Sequence, residues 1–165
     1  MARNVINIKD IDLGFKDLEK ALTKAGEVEI GYFEGEKIHI DPETGDVEDL
    51  AEIAISNEFG ITTNGISKPA RPFVRTAVDS NKRKIMNFIE KQEQKFIDGK
   101  TTINKVMDSI GKFIKYLIYK RIKTAASWSE PNSPKTIAKK GQGKPPLTDT
   151  GQLARDIDYK KKVTK

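Results

Sequence analysis

Two long amphipathic segments separated by about four residues constrain this chain more than any other feature. From Pro72, well suited to a first helical position, the apolar residues Val74, Ala77, Val78, Ile85, Phe88, Ile89, Phe96 and Ile97 predict a helix to about Asp98, ended by Gly99. From Thr102, Ile103, Val106, Met107, Ile110, Phe113, Ile114, Leu117, Ile118, Ile122 and Ala125 predict a second, with the strongest periodicity in the sequence. The first would run roughly 39 Å at 1.5 Å per residue. So short a connection makes the two fold back on each other, predicting an antiparallel helical hairpin over 72–126.

The residues before the hairpin read as mixed structure. Phe15, Leu18, Leu22 and Ala25 mark a short helix over Gly14–Ala25, closed by Gly26. Val28, Ile30 and Tyr32 alternate with Glu29 and Gly31, and Ile38 and Ile40 repeat the pattern after a polar turn at Glu34–Lys37. Together they predict a β-hairpin, with His39 on the face away from Ile38 and Ile40 and hence at the surface. Residues 41–45 read as a turn, with Asp46 as the N-cap of a helix that buries Leu50, Ala51, Ala54, Ile55 and Phe59 and stops at Gly60. Residues 61–71 show no usable period and read as a loop.

After Ala126 the character changes. Residues 127–146 hold four prolines and two glycines among lysines, predicting an exposed, mobile arm with one helical run, Pro134–Lys140, capped by Ser133. Trp128 at its start reads either as an anchor on the core or as a partner contact. Asp149-Thr150-Gly151-Gln152 matches a capping box opening a short helix to Ile157, and the lysine-rich end from Tyr159 reads as an edge strand. The expected fold is therefore α+β: a small antiparallel sheet from 27–41 and 157–163 packed with the long helical hairpin, plus the Pro/Lys-rich arm. It forms one domain over 1–165, with a core at 1–126, the arm at 127–146 and a return to the core at 147–165.

Composition narrows the function. With no cysteine and one histidine in 165 residues, disulfides, thiolate metal sites, cysteine nucleophiles and multi-His metal centres are excluded. No apolar run reaches the roughly 18 residues of a membrane span, and Met1–Asn7 lacks a signal-peptide pattern, so a soluble protein made inside the cell is expected. No Ser–His pairing, desolvated carboxylate pair or phosphate-cradling glycine loop is legible, so no catalytic residue, cofactor or metal is assigned and a non-enzyme is expected.

The net charge of +6 is unevenly placed. Residues 1–81 carry 9 basic and 16 acidic side chains, whereas residues 82–165 carry 21 basic and 8 acidic. Such polarity has three readings: a nucleic-acid-binding half, complementary surfaces that join copies head to tail into a ring, or ordinary solvated helix faces. Lys112, Lys115, Lys120, Arg121 and Lys123, interleaved with Tyr116 and Tyr119, form the candidate DNA-facing set; the plain alternative is the wet side of an amphipathic helix.

Three stretches carry a resemblance. Residues 47–60 end in Asn57-Glu58-Phe59-Gly60. Ile66-Ser67-Lys68-Pro69-Ala70-Arg71-Pro72-Phe73-Val74-Arg75 leads into a long helix. Thr136-Ile137-Ala138-Lys139-Lys140 is followed by Pro146-Leu147-Thr148-Asp149-Thr150-Gly151-Gln152-Leu153. In this order, across about residues 28–160, the chain resembles the tail-completion or neck proteins of tailed bacteriophages, also described as virion morphogenesis or minor tail proteins. It departs from that pattern at Ser67 and in the long lysine-rich arm. The resemblance implies a structural virion protein of the neck or upper tail, made in the host bacterial cytoplasm and present as a multi-copy ring around the DNA channel. Its expected partners are further copies of itself and a connector, tail-terminator or tail-tube protein, close to DNA without sequence-specific contact and without a membrane. Phe59 and Phe73 read as core residues punctuated by Gly60 and Pro72. Glu58, Arg71 and Arg75 read as partner contacts or as an ion pair bracing the loop. Trp128 and Pro146, Leu147, Asp149, Thr150, Gln152 and Leu153 are the further candidates for meeting another subunit. The alternative is a basic, non-enzymatic nucleic-acid-binding protein.

Overall fold

The structure, a computed structural model, describes residues 26–41, 44–63, 66–140 and 143–163. The expected helix over Gly14–Ala25 lies outside them, and Gly26, expected as its cap, instead opens a strand. The fold is α+β, as the periodicities predict: helices combined with three small two-stranded antiparallel ladders among the described residues.

The strands pair differently from the expected sheet. β1 (Gly26–Gly31) is joined by the final strand, β6 (Asp158–Val163), in a two-stranded antiparallel ladder. β2 (Ile38–Ile40) pairs with β3 (Val47–Asp49), so the predicted hairpin between 28–32 and 38–40 does not form. The reason is visible in the register. Ile30 lies opposite Tyr159, and Glu29 and Glu27 oppose Lys160 and Lys162, an arrangement of opposite charges across the ladder that favours this pairing. Between β2 and β3, Asp41 N–H donates to the Asp46 carbonyl at 2.9 Å, closing the turn expected over 41–45.

α1 (Leu50–Phe59) follows β3 directly, and its N-cap is Asp49, not Asp46: the Asp49 carboxylate accepts from Ala51 N–H at 2.9 Å. Capture of Val47–Asp49 as a strand moves the helix start. The buried residues of α1 are Leu50, Ala51, Ala54, Asn57 and Glu58, whereas Ile55 and Phe59 are exposed. Leu50, Ala51 and Ala54 are thus buried as expected, while two polar residues, Asn57 and Glu58, take the places expected for Ile55 and Phe59. β4 (Ile61–Thr63) and β5 (Ile66–Lys68) form a hairpin where a loop was expected. Gly60 sets its entry: at φ 74°, a Cβ there would stand 2.7 Å from the Lys68 carbonyl oxygen.

The first predicted long helix is two helices, α2 (Phe73–Asp79) and α3 (Lys82–Ile97). The break falls at Asp79-Ser80-Asn81, short polar residues that compete with helical hydrogen bonds: Asn81 Nδ2 donates to the Ala77 carbonyl at 2.8 Å. Pro72 sits at the N-cap position, one residue before the helix it was expected to open. α4 (Ile103–Lys123) starts at Thr102, whose hydroxyl accepts from Lys105 N–H. Phe88 and Phe113 stack at 4.3 Å, residues nearly equidistant from the 98–102 turn, so α3 and α4 are an antiparallel pair. A 3₁₀ turn (Ala125–Ser127), α5 (Pro134–Lys140) and α6 (Gln152–Arg155) complete the described elements.

The core lies where α1, α2, the C-terminal half of α4 and residues 147–157 meet. Phe73, Ile122 and Ala125 are 0% exposed, with Ile118, Ile157, Leu50, Leu147 and Leu153 around them. Burying each large side chain contributes about 1.5–3 kcal/mol. Tyr32 meets Phe73 edge-on at 6.2 Å, linking the β1 segment to this centre. Gly111 lets β6 lie against α4, because a Cβ there would stand 2.3 Å from the Tyr159 ring.

Candidate functional site

A cleft of about 550 Å³ opens between the β2–β3 hairpin, α1, the 67–71 segment, the arm and residues 147–153. Each wall is held by polar chemistry rather than by apolar packing alone.

Arg71 lines the first wall, and Glu58, outside the lining, braces the segment that carries it. Glu58 is buried, and its carboxylate accepts from Val74 N–H at 2.9 Å and Arg75 N–H at 3.1 Å. It thus supplies from α1 the N-terminal cap of α2 that Pro72 cannot provide. Arg71, also buried, sends its guanidinium to the carbonyls of Glu130 (3.3 Å) and Pro131 (3.2 Å), while its own N–H donates to the Asn57 carbonyl at 2.6 Å. Burial lowers the guanidinium pKa, opposed by the charge of Glu130. Glu58 and Arg71 do brace the loop, but through backbone groups, and their burial withdraws them from the partner contact expected of them. Arg75 is exposed and lies over the equally exposed Phe59 ring at 5.9 Å.

The second wall is the return segment. Pro146, Leu147 and Leu153 are buried in the chain's own core and are likewise not offered to a partner. The expected capping box does not form: Gly151, at φ 77°, is the N-cap residue of α6. Asp149 instead lies 3.8 Å from Lys144. Gln152 reaches across the cleft, its Nε2 donating to the Ile38 carbonyl at 2.7 Å and its Oε1 meeting His39 Nδ1 at 2.8 Å. A carbonyl only accepts, so the amide orientation is fixed and His39 Nδ1 carries the proton. His39 therefore faces the body and Ile38 and Ile40 face water, the reverse of the alternation reading. Thr150 is exposed at the cleft margin.

The arm is tied at its start. Trp128 is half-buried, donates Nε1–H to the Arg121 carbonyl at 2.8 Å and lies under the Arg121 guanidinium at 3.9 Å; it acts as a core anchor. Asn132 Nδ2 donates to the Lys144 carbonyl at 3.2 Å, closing the loop that carries α5. Ser133 caps α5 as expected, accepting from Thr136 N–H at 3.2 Å.

The candidate DNA-facing residues do not share one face. Lys115 pairs with Asp158 at 3.3 Å, and Arg121 is held by Trp128 and by Thr76 Oγ1 at 3.0 Å. Lys112, Lys120 and Lys123 are exposed alongside Tyr116 and Tyr119.

Sequence reasoning missed two residues here. His39 was dismissed by strand alternation. Tyr32 was read only as a strand residue, yet its hydroxyl donates to the Leu153 carbonyl, and burial, reinforced by Asp156, raises its pKa well above the usual phenol value. Among the described residues no group of three or more His, Cys, Asp or Glu is placed to hold a metal ion, and no helix is long and apolar enough to cross a membrane. No protein-family model, curated protein or solved structure matches the chain.

Proposed function

We propose that this chain is a structural virion protein of the phage neck or upper tail, present as several copies around the DNA channel. One observation carries the reading. The three stretches behind the resemblance, far apart in sequence, converge on the same cleft: Asn57 from the first, Ser67, Lys68, Pro69 and Arg71 from the second, and Thr136, Leu147 and Asp149–Leu153 from the third. The stretches thus act as one unit, in which α1 caps α2 and the 71 position holds the root of an exposed helical arm. Such a unit presents α5 as a docking element to a neighbouring virion protein.

The test is made in particles. Labelled protein should be found by electron microscopy at the head–tail junction. Replacing 134–143 by a short Gly/Ser linker, which leaves the Arg71 contacts intact, should leave heads and tails unjoined. Wild-type infectivity of that variant would remove the docking role.

A second reading, a basic nucleic-acid-binding protein, is favoured by α4. Among the described residues Lys105, Lys112, Lys120 and Lys123 form no salt bridge within 4 Å, although Lys112 acts on Asp108 at longer range, and two exposed tyrosines stand between Lys112 and Lys120. Tight duplex binding with a steep salt dependence would support it.

A further inference from the structure

We infer that the exposed face of the β2–β3 hairpin is the docking surface for the α4 stripe of a second copy of this chain; this deepens the ring reading above. The two surfaces are complementary in both apolarity and charge. On the hairpin, Ile40 and Val47 face each other across the ladder at 56% and 61% exposure, with Ile38 beside them at 54%. Three aliphatic side chains gathered on one short ladder are more than the scattered apolar residues of an ordinary surface. Residues 34–52 around them carry eight acidic side chains and one basic one.

On α4, Lys112, Tyr116, Tyr119 and Lys123 follow one another at spacings of four, three and four, a single helix face flanked by Lys120. Tyr116 is 54% and Tyr119 40% exposed, and among the described residues the three lysines form no salt bridge within 4 Å, Lys112 acting on Asp108 only at longer range. Some other cations of this half are engaged: Lys115 with Asp158, Lys160 with Glu36, and Lys161 with Asp108. The fold neutralises part of the charge polarity internally, Glu36 of the hairpin segment included; the α4 stripe is set apart from other cations by its two exposed tyrosines on the same face, and the hairpin by its aliphatic ladder. The stripe rises roughly 17 Å from Lys112 to Lys123, enough to cover a three-residue ladder of about 10 Å. An acid-rimmed aliphatic patch and a base-rimmed aromatic one, on different elements of one chain, make a heterologous contact, which propagates head to tail and closes if the rotation allows.

Sedimentation of the purified full chain tests this. Wild type should associate, more weakly as salt rises. Lys112→Glu/Lys120→Glu/Lys123→Glu should be monomeric at about tenfold the concentration at which wild type assembles, and so should Asp46→Lys/Glu52→Lys, with melting of both checked against wild type. Mixing the two variants should restore association, since each then supplies the face the other has lost. Val47→Ser, on an exposed position, should weaken assembly without lowering the melting temperature. A monomeric wild type, variants that assemble unchanged, or a mixture that stays monomeric would each overturn the inference. So would loss of duplex binding in the lysine variant with assembly unchanged, which assigns the stripe to nucleic acid. The virion reading is scored separately by presence in particles, so either can fail alone.

Discussion

Around Phe73 the chain buries apolar and polar groups together. The ring is fully covered, Glu58 and Arg71 are buried beside it, and each makes hydrogen bonds to backbone groups of another segment. Along the α3–α4 hairpin toward residue 99 the packing is thinner. Ile85 is the buried residue of α3, Val106 is the buried large side chain in the first half of α4, and the stacked Phe88 and Phe113 are only half-buried. Fully satisfied buried polar groups tie segments into one arrangement, because leaving any of them unpaired costs more than the bond contributes. An amphipathic hairpin half open to water has no such constraint. The difference separates a module that fixes geometry from an extension that carries surface.

Substitutions test that contrast, beginning with the largest effect. Phe73→Ala should destabilise by about 3–5 kcal/mol in chemical denaturation, enough to threaten folding of a small domain. A loss under about 1 kcal/mol would show that the module is not the centre of the fold. Glu58→Ala should cost about 1–3 kcal/mol, because it uncovers two N–H groups at the start of α2. Its amide exchange should quicken at Val74 and Arg75 first. Phe113→Ala should cost less than Phe73→Ala, about 1–2 kcal/mol, since a half-exposed ring forfeits less apolar burial. Equal losses at the two phenylalanines would erase the contrast. Tyr32→Phe should cost about 1 kcal/mol by leaving the Leu153 carbonyl without its hydroxyl donor.

The smallest effect is on pH dependence. The N–H groups of Gly35 and Ala51 hold the Asp49 carboxyl below its usual range. The folded state then binds fewer protons than the unfolded state just below the ordinary carboxylate pKa of about 4. Stability from this cap is therefore present above that value and is lost as pH falls through the lower folded value. Asp49→Asn should flatten the acid limb of a melting-temperature profile; an unchanged limb would show that other carboxylates set it.

Much of the helical architecture was legible because long periodic runs average over local errors. Nine apolar positions in α4 leave the period legible even if one or two were misread. Short elements have no such redundancy. In the three residues Ile38-His39-Ile40, alternation says that two faces differ but not which one meets the body, and Gln152 decides that from more than a hundred residues away. The loop reading of 61–71 failed for the same reason, since two three-residue strands leave no period to detect. The cleft was legible only as separate stretches. Their types and order were visible, but Glu58 and Arg71 read as partner contacts or an ion pair because sequence cannot show that their partners are backbone groups.

What the amino-acid order determined by itself is local: where helices run, where Gly99 and Thr102 separate two of them, and that acid and base lie in opposite halves. Only the tertiary structure decided which strand pairs with which, which face of a short strand is wet, and which charges are neutralised within the chain. Helical periodicity arises from neighbours within four residues. Strand partners and buried polar pairs depend on contacts between distant segments, and those exist only once the chain has folded.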